Sequence, residues 1–177
     1  EQEALSWTSM AALFPEERIR HIDSSSSDRL QASRPPNRKM TVRPSIGKKG
    51  PPLISIVTPS LNQGRFIEQT ILSVRGQEYP NVEHIIVDGG SRDNTLSILE
   101  KYEDTYDMQW TSEPDNGMYQ AINKGFRRAK GEILAYLNAD DLYLPWTTRV
   151  VSEIFDRHPP VDLVYGDMIH MRIDSRY

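Results

Sequence analysis

The 177-residue sequence contains no cysteine, which excludes a disulfide scaffold, a thiolate zinc site and a cysteine nucleophile. It also lacks an apolar run of the ~18 residues that a membrane span needs. The first thirty residues show no basic start, apolar middle and small-residue end of the kind that marks a signal peptide. The expectation is a soluble chain without a cleaved leader, with the cytoplasm as its default compartment. A formal net charge of −4 argues against general nucleic-acid binding. The charge is unevenly spread: of 21 basic and 25 acidic residues, residues 1–50 carry nine and six, leaving 12 and 19 for residues 51–177.

From Ser24 to Pro52 the sequence has four consecutive serines, Pro35-Pro36, Pro51-Pro52 and no acidic residue after Asp28. Such a stretch cannot bury enough apolar surface to offset its ordering entropy, so residues 24–51 read as a basic Pro/Ser-rich linker. Its seven Lys/Arg between Arg29 and Lys49 leave three alternatives open: a solvated tether, contact with another domain, or peripheral contact with anionic lipid at the inner face of a membrane. Before it, Trp7, Met10, Leu13, Phe14 and Ile19 could stripe a short helical segment within residues 1–23.

The folded domain is expected over residues 52–177. Leu53–Val57 is a short apolar, β-branched run that stops at Thr58-Pro59, and Val82–Val87, Met108–Thr111, Ile133–Leu137 and Val161–Tyr165 resemble it. Between most of these runs, apolar residues recur at helical spacing: Phe66 to Val74, Thr95 to Tyr102, Met118 to Ala129 and Val150 to Phe155. Strands alternating with helices at this density predict an α/β fold, a mainly parallel sheet with helices on both faces.

In open α/β sheets ligands bind outside the carboxyl ends of the strands, and here those positions are polar. Thr58–Gly64 follows the first strand, Asp88-Gly89-Gly90-Ser91-Arg92-Asp93 the second, Ser112–Gly117 the third and Asn138-Ala139-Asp140-Asp141 the fourth. Asp140 and Asp141 offer hard oxygen ligands that suit Mg²⁺ or Mn²⁺ with substrate phosphates completing the shell, although Asp is equally a turn and cap residue. Asp88 can accept from an N–H of a base or sugar, beside two glycines that let a ligand approach. Ser91 or Asp93 can cap the helix that follows.

Several motifs are missing. Thr58–Gly64 holds one glycine and no dinucleotide fingerprint, and no Walker loop, His-Glu-x-x-His or Gly-x-Ser-x-Gly occurs. His21, His84, His158 and His170 are scattered, and none is assigned to a site.

The order of the motifs resembles the nucleotide-binding half of the family 2 glycosyltransferases, which adopt the Rossmann-like glycosyltransferase A fold. The resemblance runs from about Pro52 to Asp167 and rests on SIVTPSLNQGRFIEQTILSV, VDGGSRDNT, SEPDNGMYQAINKGFRRAKGEILAYLNADD and VYGD. From Pro114 to Gly125 it is similar to bacterial glycosyltransferases that build polysaccharide or O-antigen repeats.

The resemblance implies transfer of a sugar from a nucleotide donor, a UDP-sugar by preference, to a glycan or lipid-linked acceptor with inversion. It implies that Thr58, Ser60 and Asp88 contact base and ribose, that Asp115 and Asn123 line the same cleft, and that Asn138 and Asp140 stand at the family's Asp-x-Asp. Asp140 and Asp141 would hold Mn²⁺ or Mg²⁺. Three positions depart from the family pattern: Asn138 replaces the first Asp, Leu61 replaces a stacking aromatic, and Gly89 replaces the second Asp of Asp-Asp-Gly-Ser. The general base and acceptor region are expected beyond Tyr177, so this chain is read as a C-terminally truncated, donor-binding half with uncovered apolar surface and a tendency to self-associate. Were the base within residues 1–177, Glu113, Asp115 and Asp167 are the first carboxylates to consider. The alternative is a non-catalytic interaction or nucleotide-binding module of the same fold.

Overall fold

The computed structural model describes residues 50–166. The segment expected to be helical within residues 1–23, almost all of the linker at 24–51, and Asp167 lie outside the described residues. The elements run β1 (Ile54–Ser60), α1 (Ile67–Arg75), β2 (Val82–Asp88), α2 (Thr95–Tyr102), β3 (Met108–Ser112), α3 (Met118–Arg128), β4 (Ile133–Tyr136) and α4 (Thr147–Arg157). The four strands form one sheet in the order β3-β2-β1-β4, and every pair is parallel.

The central strands β1 and β2 are buried on both faces, as their unbroken apolar runs require, whereas the edge strands β3 and β4 expose part of their length, Leu134 and Tyr136 among it. Alternate residues of β1 and β2 point opposite ways. Val57, Ile85 and Val87 pack with Ala121, Phe126 and Ala129 of the α3 segment on one face. On the other, Ile86 meets Ile67 and Ile71 of α1 and Leu99 and Tyr102 of α2, while Ile54 and Ile56 meet Val74 and the Val151 and Phe155 side chains of α4. Full burial of each such aliphatic side chain contributes roughly 1.5–3 kcal/mol. Gly125 lets α3 lie close against β1: a Cβ there would stand 2.3 Å from Val57 Cγ1.

The strand order decides where a ligand can enter. The chain moves outward from β1 to β2 to β3, then crosses back over one face through α3 to place β4 on the other side of β1. The carboxyl ends of β1 and β4 therefore flank the switch point, where an open α/β sheet has a natural crevice. Register aligns Ser60 with Asp88 and Asp88 with Ser112, so three strand ends finish in one row.

One expected strand is absent. Residues 161–166 follow α4 as irregular backbone and join no ladder among the described residues, with Leu163 and Tyr165 largely exposed. The apolar run at Val161–Tyr165 signals a demand for burial, but a strand exists only where a partner edge meets it.

Candidate functional site

At the switch point lies an open cleft of about 420 Å³. The end of β1 supplies Pro59, Ser60, Leu61 and Gln63; the turn into α3 supplies Asp115, Gly117, Met118 and Ala121; the end of β4 supplies Asn138, Ala139 and Asp140. Leu61 and Met118 are each about half exposed, giving the cleft an aliphatic surface beside its polar groups. Among the described residues, its lining holds two carboxylates and no Lys or Arg.

Three buried side-chain polar atoms among the described residues have no hydrogen-bond partner: Ser60 Oγ, Asn138 Oδ1 and Trp110 Nε1. Two of the three belong to residues that line the cleft. A buried polar atom left unpaired costs about 1–3 kcal/mol, and two such atoms on residues that line a ligand-sized opening call for an explanation.

The loop after β2 is held by Asp88. Its Oδ2 accepts from the backbone N–H of Gly90 at 3.0 Å and of Ser91 at 2.8 Å, and from Ser112 Oγ at 2.7 Å, while Oδ1 accepts from Ser91 Oγ at 2.5 Å. Three of these four donors fall on Oδ2 and one on Oδ1, so the carboxylate is held mainly through Oδ2. Asp88 is fully buried. The loop is tied in turn to the one after β1, where Asn62 N–H donates to Ser91 Oγ and Arg92 N–H donates to Asn62 Oδ1. Asp93 caps the start of α2 by accepting from Thr95 N–H and Oγ1, and these bonds, the Thr95 hydroxyl first, hold its carboxyl below the usual range. Asp93 is thus the capping residue of the Ser91/Asp93 pair.

The turn after β4 carries Asn138, Asp140 and Asp141. Asp141 N–H closes it on Asn138 O at 3.1 Å. From α1, the buried Thr70 hydroxyl reaches Ala139 O at 2.8 Å and Asp141 O at 3.0 Å. Within the turn, Asn138 Nδ2 donates to Asp141 Oδ2 at 2.9 Å. Nearby, burial first, then Tyr136 and Asp141, pushes the Tyr143 phenol up to about 12, which keeps it neutral as a donor to Tyr136 O.

On the α3 side, Asp115 Oδ1 accepts from Gly117 N–H at 2.8 Å, and Gly117 has φ 111°, a left-handed value that favours glycine. The other carboxylate oxygen lies over the β2 loop: a Cβ at Gly89 would stand 3.1 Å from Asp115 Oδ2. The absence of a side chain at Gly89 is what makes room for Asp115 there.

Of the residues singled out in the sequence, the fold brings Ser60, Asp115, Asn138 and Asp140 together at the cleft. Thr58 and Asp88, expected to contact the base and ribose, are not among the residues that line the cleft. Both are fully buried and committed inside the protein, Asp88 as above and Thr58 through a 2.8 Å bond between its Oγ1 and His84 Nε2. Asn123 is exposed on α3 and is not among the lining residues, because a helix turns position 123 away from the face that presents Ala121. Asp141 is likewise not among the lining residues and is bonded to Asn138. Glu113 is half exposed outside the cleft and pairs with Lys124 at 3.0 Å, the contact that chiefly holds its carboxyl low. The sequence reading missed Thr70 and Ser112 as supports of the site. The signal for Thr70 was a hydroxyl in an otherwise apolar helical stripe.

No three His, Cys, Asp or Glu side chains gather into a ready-made metal site among the described residues. The groups present still fit a hard divalent cation of the Mg²⁺ or Mn²⁺ kind: the Asp140 carboxylate, the unpartnered Asn138 Oδ1, and room in the cleft for ligand oxygens, which such ions commonly take as most of their shell.

Comparison with known proteins bears on the family and the fold. A mycobacterial relative, an uncharacterized glycosyltransferase of Mycobacterium tuberculosis, is 39% identical over 65% of this chain and 44% of its own length. The PGL/p-HBAD biosynthesis glycosyltransferase of Mycobacterium bovis is 35% identical over 71% of this chain and 50% of its own. The chain therefore spans about half the length of these curated relatives. The structure of S. aureus TarS 1-349 in complex with UDP-GlcNAc superposes with a TM-score of 0.58 at 25% identity, covering 60% of this chain and 32% of that one. The mannosyltransferase PcManGT of Pyrobaculum calidifontis, in complex with GDP-Man and Mn²⁺, shares the fold with a TM-score of 0.56 at 24% identity over 76% of this chain and 39% of its own. The family described as glycosyl transferase family 2 matches residues 55–171, more than half of the sequence, and with the parallel sheet and its switch-point cleft this shows that the chain belongs to glycosyl transferase family 2.

Proposed function

We propose that this chain binds the nucleotide-sugar donor, a UDP-sugar, for an inverting glycosyltransferase that acts on a glycan or lipid-linked acceptor. The observation that carries the reading is the pair of unpartnered buried oxygens, Ser60 Oγ and Asn138 Oδ1, in a cleft flanked by Asp115 and Asp140. Support also comes from the relatives, one of which is a PGL/p-HBAD biosynthesis glycosyltransferase, and from TarS with UDP-GlcNAc.

Each residue then has a role set by its chemistry. Leu61 and Met118 pack against the flat base. Asp115 accepts from a base or ribose donor, and Ser60 Oγ, which is both donor and acceptor, completes the nucleoside contacts. Asn138 and Asp140 face the phosphates. A diphosphate brought beside the Asp140 carboxylate, with no Lys or Arg among the described residues that line the cleft, would be repelled without a counterion, and Asp140 and Asn138 are the residues that would hold Mn²⁺ or Mg²⁺ there. When bound, the cation stabilises the charge of the departing nucleoside diphosphate. Displacement at the anomeric carbon further requires an acceptor hydroxyl in line with the leaving group and a carboxylate base within hydrogen-bond reach of it. The same reading assigns the reaction to the cytoplasm or to the inner face of the membrane. No helix among the described residues is long and apolar enough to cross a membrane.

Isothermal calorimetry tests this directly. UDP is expected to bind in the presence of Mn²⁺, to lose that binding on chelation, and to outcompete ADP. Equal affinity for UDP and ADP would overturn the base assignment, and tight binding after chelation would overturn the cation. Failure of every nucleotide to bind would favour an interaction module.

A further inference from the structure

Asn138 and Asp141 are the two ends of the tight turn that follows β4, and their side chains are joined by the 2.9 Å bond from Asn138 Nδ2 to Asp141 Oδ2. Building on the donor-binding reading, we propose that Asp141 is a positioning residue that acts through Asn138, fixing the rotation of the Asn138 amide so that its oxygen is the atom left for the donor or its cation.

An ionised carboxylate is acceptor-only, whereas an amide carries a donor end and an acceptor end of nearly the same shape. Rotating the Asn138 amide by half a turn would set Oδ1 against Asp141 Oδ2, acceptor against acceptor, and lose the bond. Asp141 therefore selects one of two otherwise similar rotamers. The consequence is visible in the same residue, since Nδ2 is satisfied and Oδ1 is buried without a partner. The backbone leaves little freedom for another arrangement, because Asp141 N–H is bonded to Asn138 O and the Thr70 hydroxyl holds the carbonyls of Ala139 and Asp141. Asn138 and Asp140 line the cleft while Asp141 does not. The run Asn138-Ala139-Asp140-Asp141 thus divides three tasks: Asp140 offers a charged ligand, Asn138 a neutral acceptor, and Asp141 the orientation of that acceptor. This places Asp141 outside the direct metal role that the sequence alone suggests for it.

The test is a mutant cycle read by calorimetry with UDP and Mn²⁺, beside NMR of the Asn138 side-chain amide in the protein without nucleotide. Asp141→Ala is expected to weaken Mn²⁺-dependent UDP binding about tenfold, the usual scale for losing an outer partner of a ligand. Asp141→Asn, which keeps an acceptor oxygen for Asn138 Nδ2 but not the charge, is expected to recover most of that loss. In an Asn138→Ala background, Asp141→Ala is expected to cost nothing further. An equal cost in both backgrounds, or an Asp141→Asn variant as weak as Asp141→Ala, would show that Asp141 touches the ligand through its own charge and would overturn the proposal. The NMR measurement stands apart from nucleotide binding. Asp141→Ala should shift the Asn138 amide protons upfield and speed their exchange, and unchanged signals would overturn the orienting role even if the wild-type chain bound no UDP, a result that would separately sink the donor-binding reading.

Discussion

Thr58 and His84 are joined across the β1–β2 ladder by a 2.8 Å bond between Thr58 Oγ1 and His84 Nε2, and the other ring nitrogen, Nδ1, bonds to the Tyr106 hydroxyl at 2.6 Å. The neutral ring donates through one nitrogen and accepts through the other, so both neighbours are satisfied without a charge. Burial lowers the His84 pKa from 6.5 to about 3 and pushes the Tyr106 phenol upward.

The pH dependence follows with a definite sign. Between pH 6.5 and about 3 the unfolded chain binds a proton at His84 and the folded chain does not, so this contribution to stability is complete above pH 6.5 and is lost as the pH falls. The slope is about 1.4 kcal/mol per pH unit in that window. Urea titrations of wild type and His84→Gln from pH 4 to 7 should therefore converge toward low pH, and parallel curves would show that His84 takes up its proton in the folded state.

Asp88→Asn is expected to destabilise the fold by about 2–3 kcal/mol, because an amide cannot replace a carboxylate that accepts from four donors. Thermal melting measures it. Should the melting temperature stay unchanged while UDP affinity drops sharply, Asp88 would be a ligand contact after all.

Gly125→Ala offers a contest between two effects of opposite sign. Alanine improves helix propensity by about 1 kcal/mol, but its Cβ would lie 2.3 Å from Val57 Cγ1 and 2.9 Å from Cγ2, and overpacking of this kind costs about 1–3 kcal/mol. Because Val57 is fully buried between α3 and the neighbouring strands, it has nowhere to move. Net destabilisation is expected in chemical denaturation, and a stabilised variant would mean that α3 can lift off β1.

Asp140 is exposed at the mouth of the cleft and has little packing to lose. Asp140→Asn should leave stability within about 0.5 kcal/mol while abolishing the enhancement of UDP binding by Mn²⁺. Retention of that enhancement, read by calorimetry, would move the cation elsewhere.

Much of this arrangement was legible in the sequence. The apolar runs at Ile54, Val82, Met108 and Ile133 and the helical stripes between them marked the four strands and the helices, because burial on two faces leaves a continuous run and burial on one leaves a period. Polar clusters after each run marked the sheet's carboxyl edge as the place for a ligand. The failure at Val161–Tyr165 has the same root, since a pattern reports a wish for burial and says nothing of the edge that would satisfy it.

The sequence by itself determined the α/β class, the edge of the sheet where chemistry sits, and the residue types available there, since these depend on local periodicity and on which polar residues follow each strand. Only the tertiary structure decided which of those residues turn outward. Ser60 and Thr58 are both polar, β1-borne and two positions apart, yet one has an unpartnered hydroxyl at the cleft and the other is spent on His84. Asp88, Asp140 and Asp141 are all strand-end carboxylates, yet one is bonded to its own loop and to Ser112, one lines the opening and one is bonded to an amide. A hydrogen bond is made with whatever partner arrives within about 3 Å, and the partners that settled these roles, Ser112, His84 and Asn138, are fixed by strand register and turn geometry that no local pattern contains.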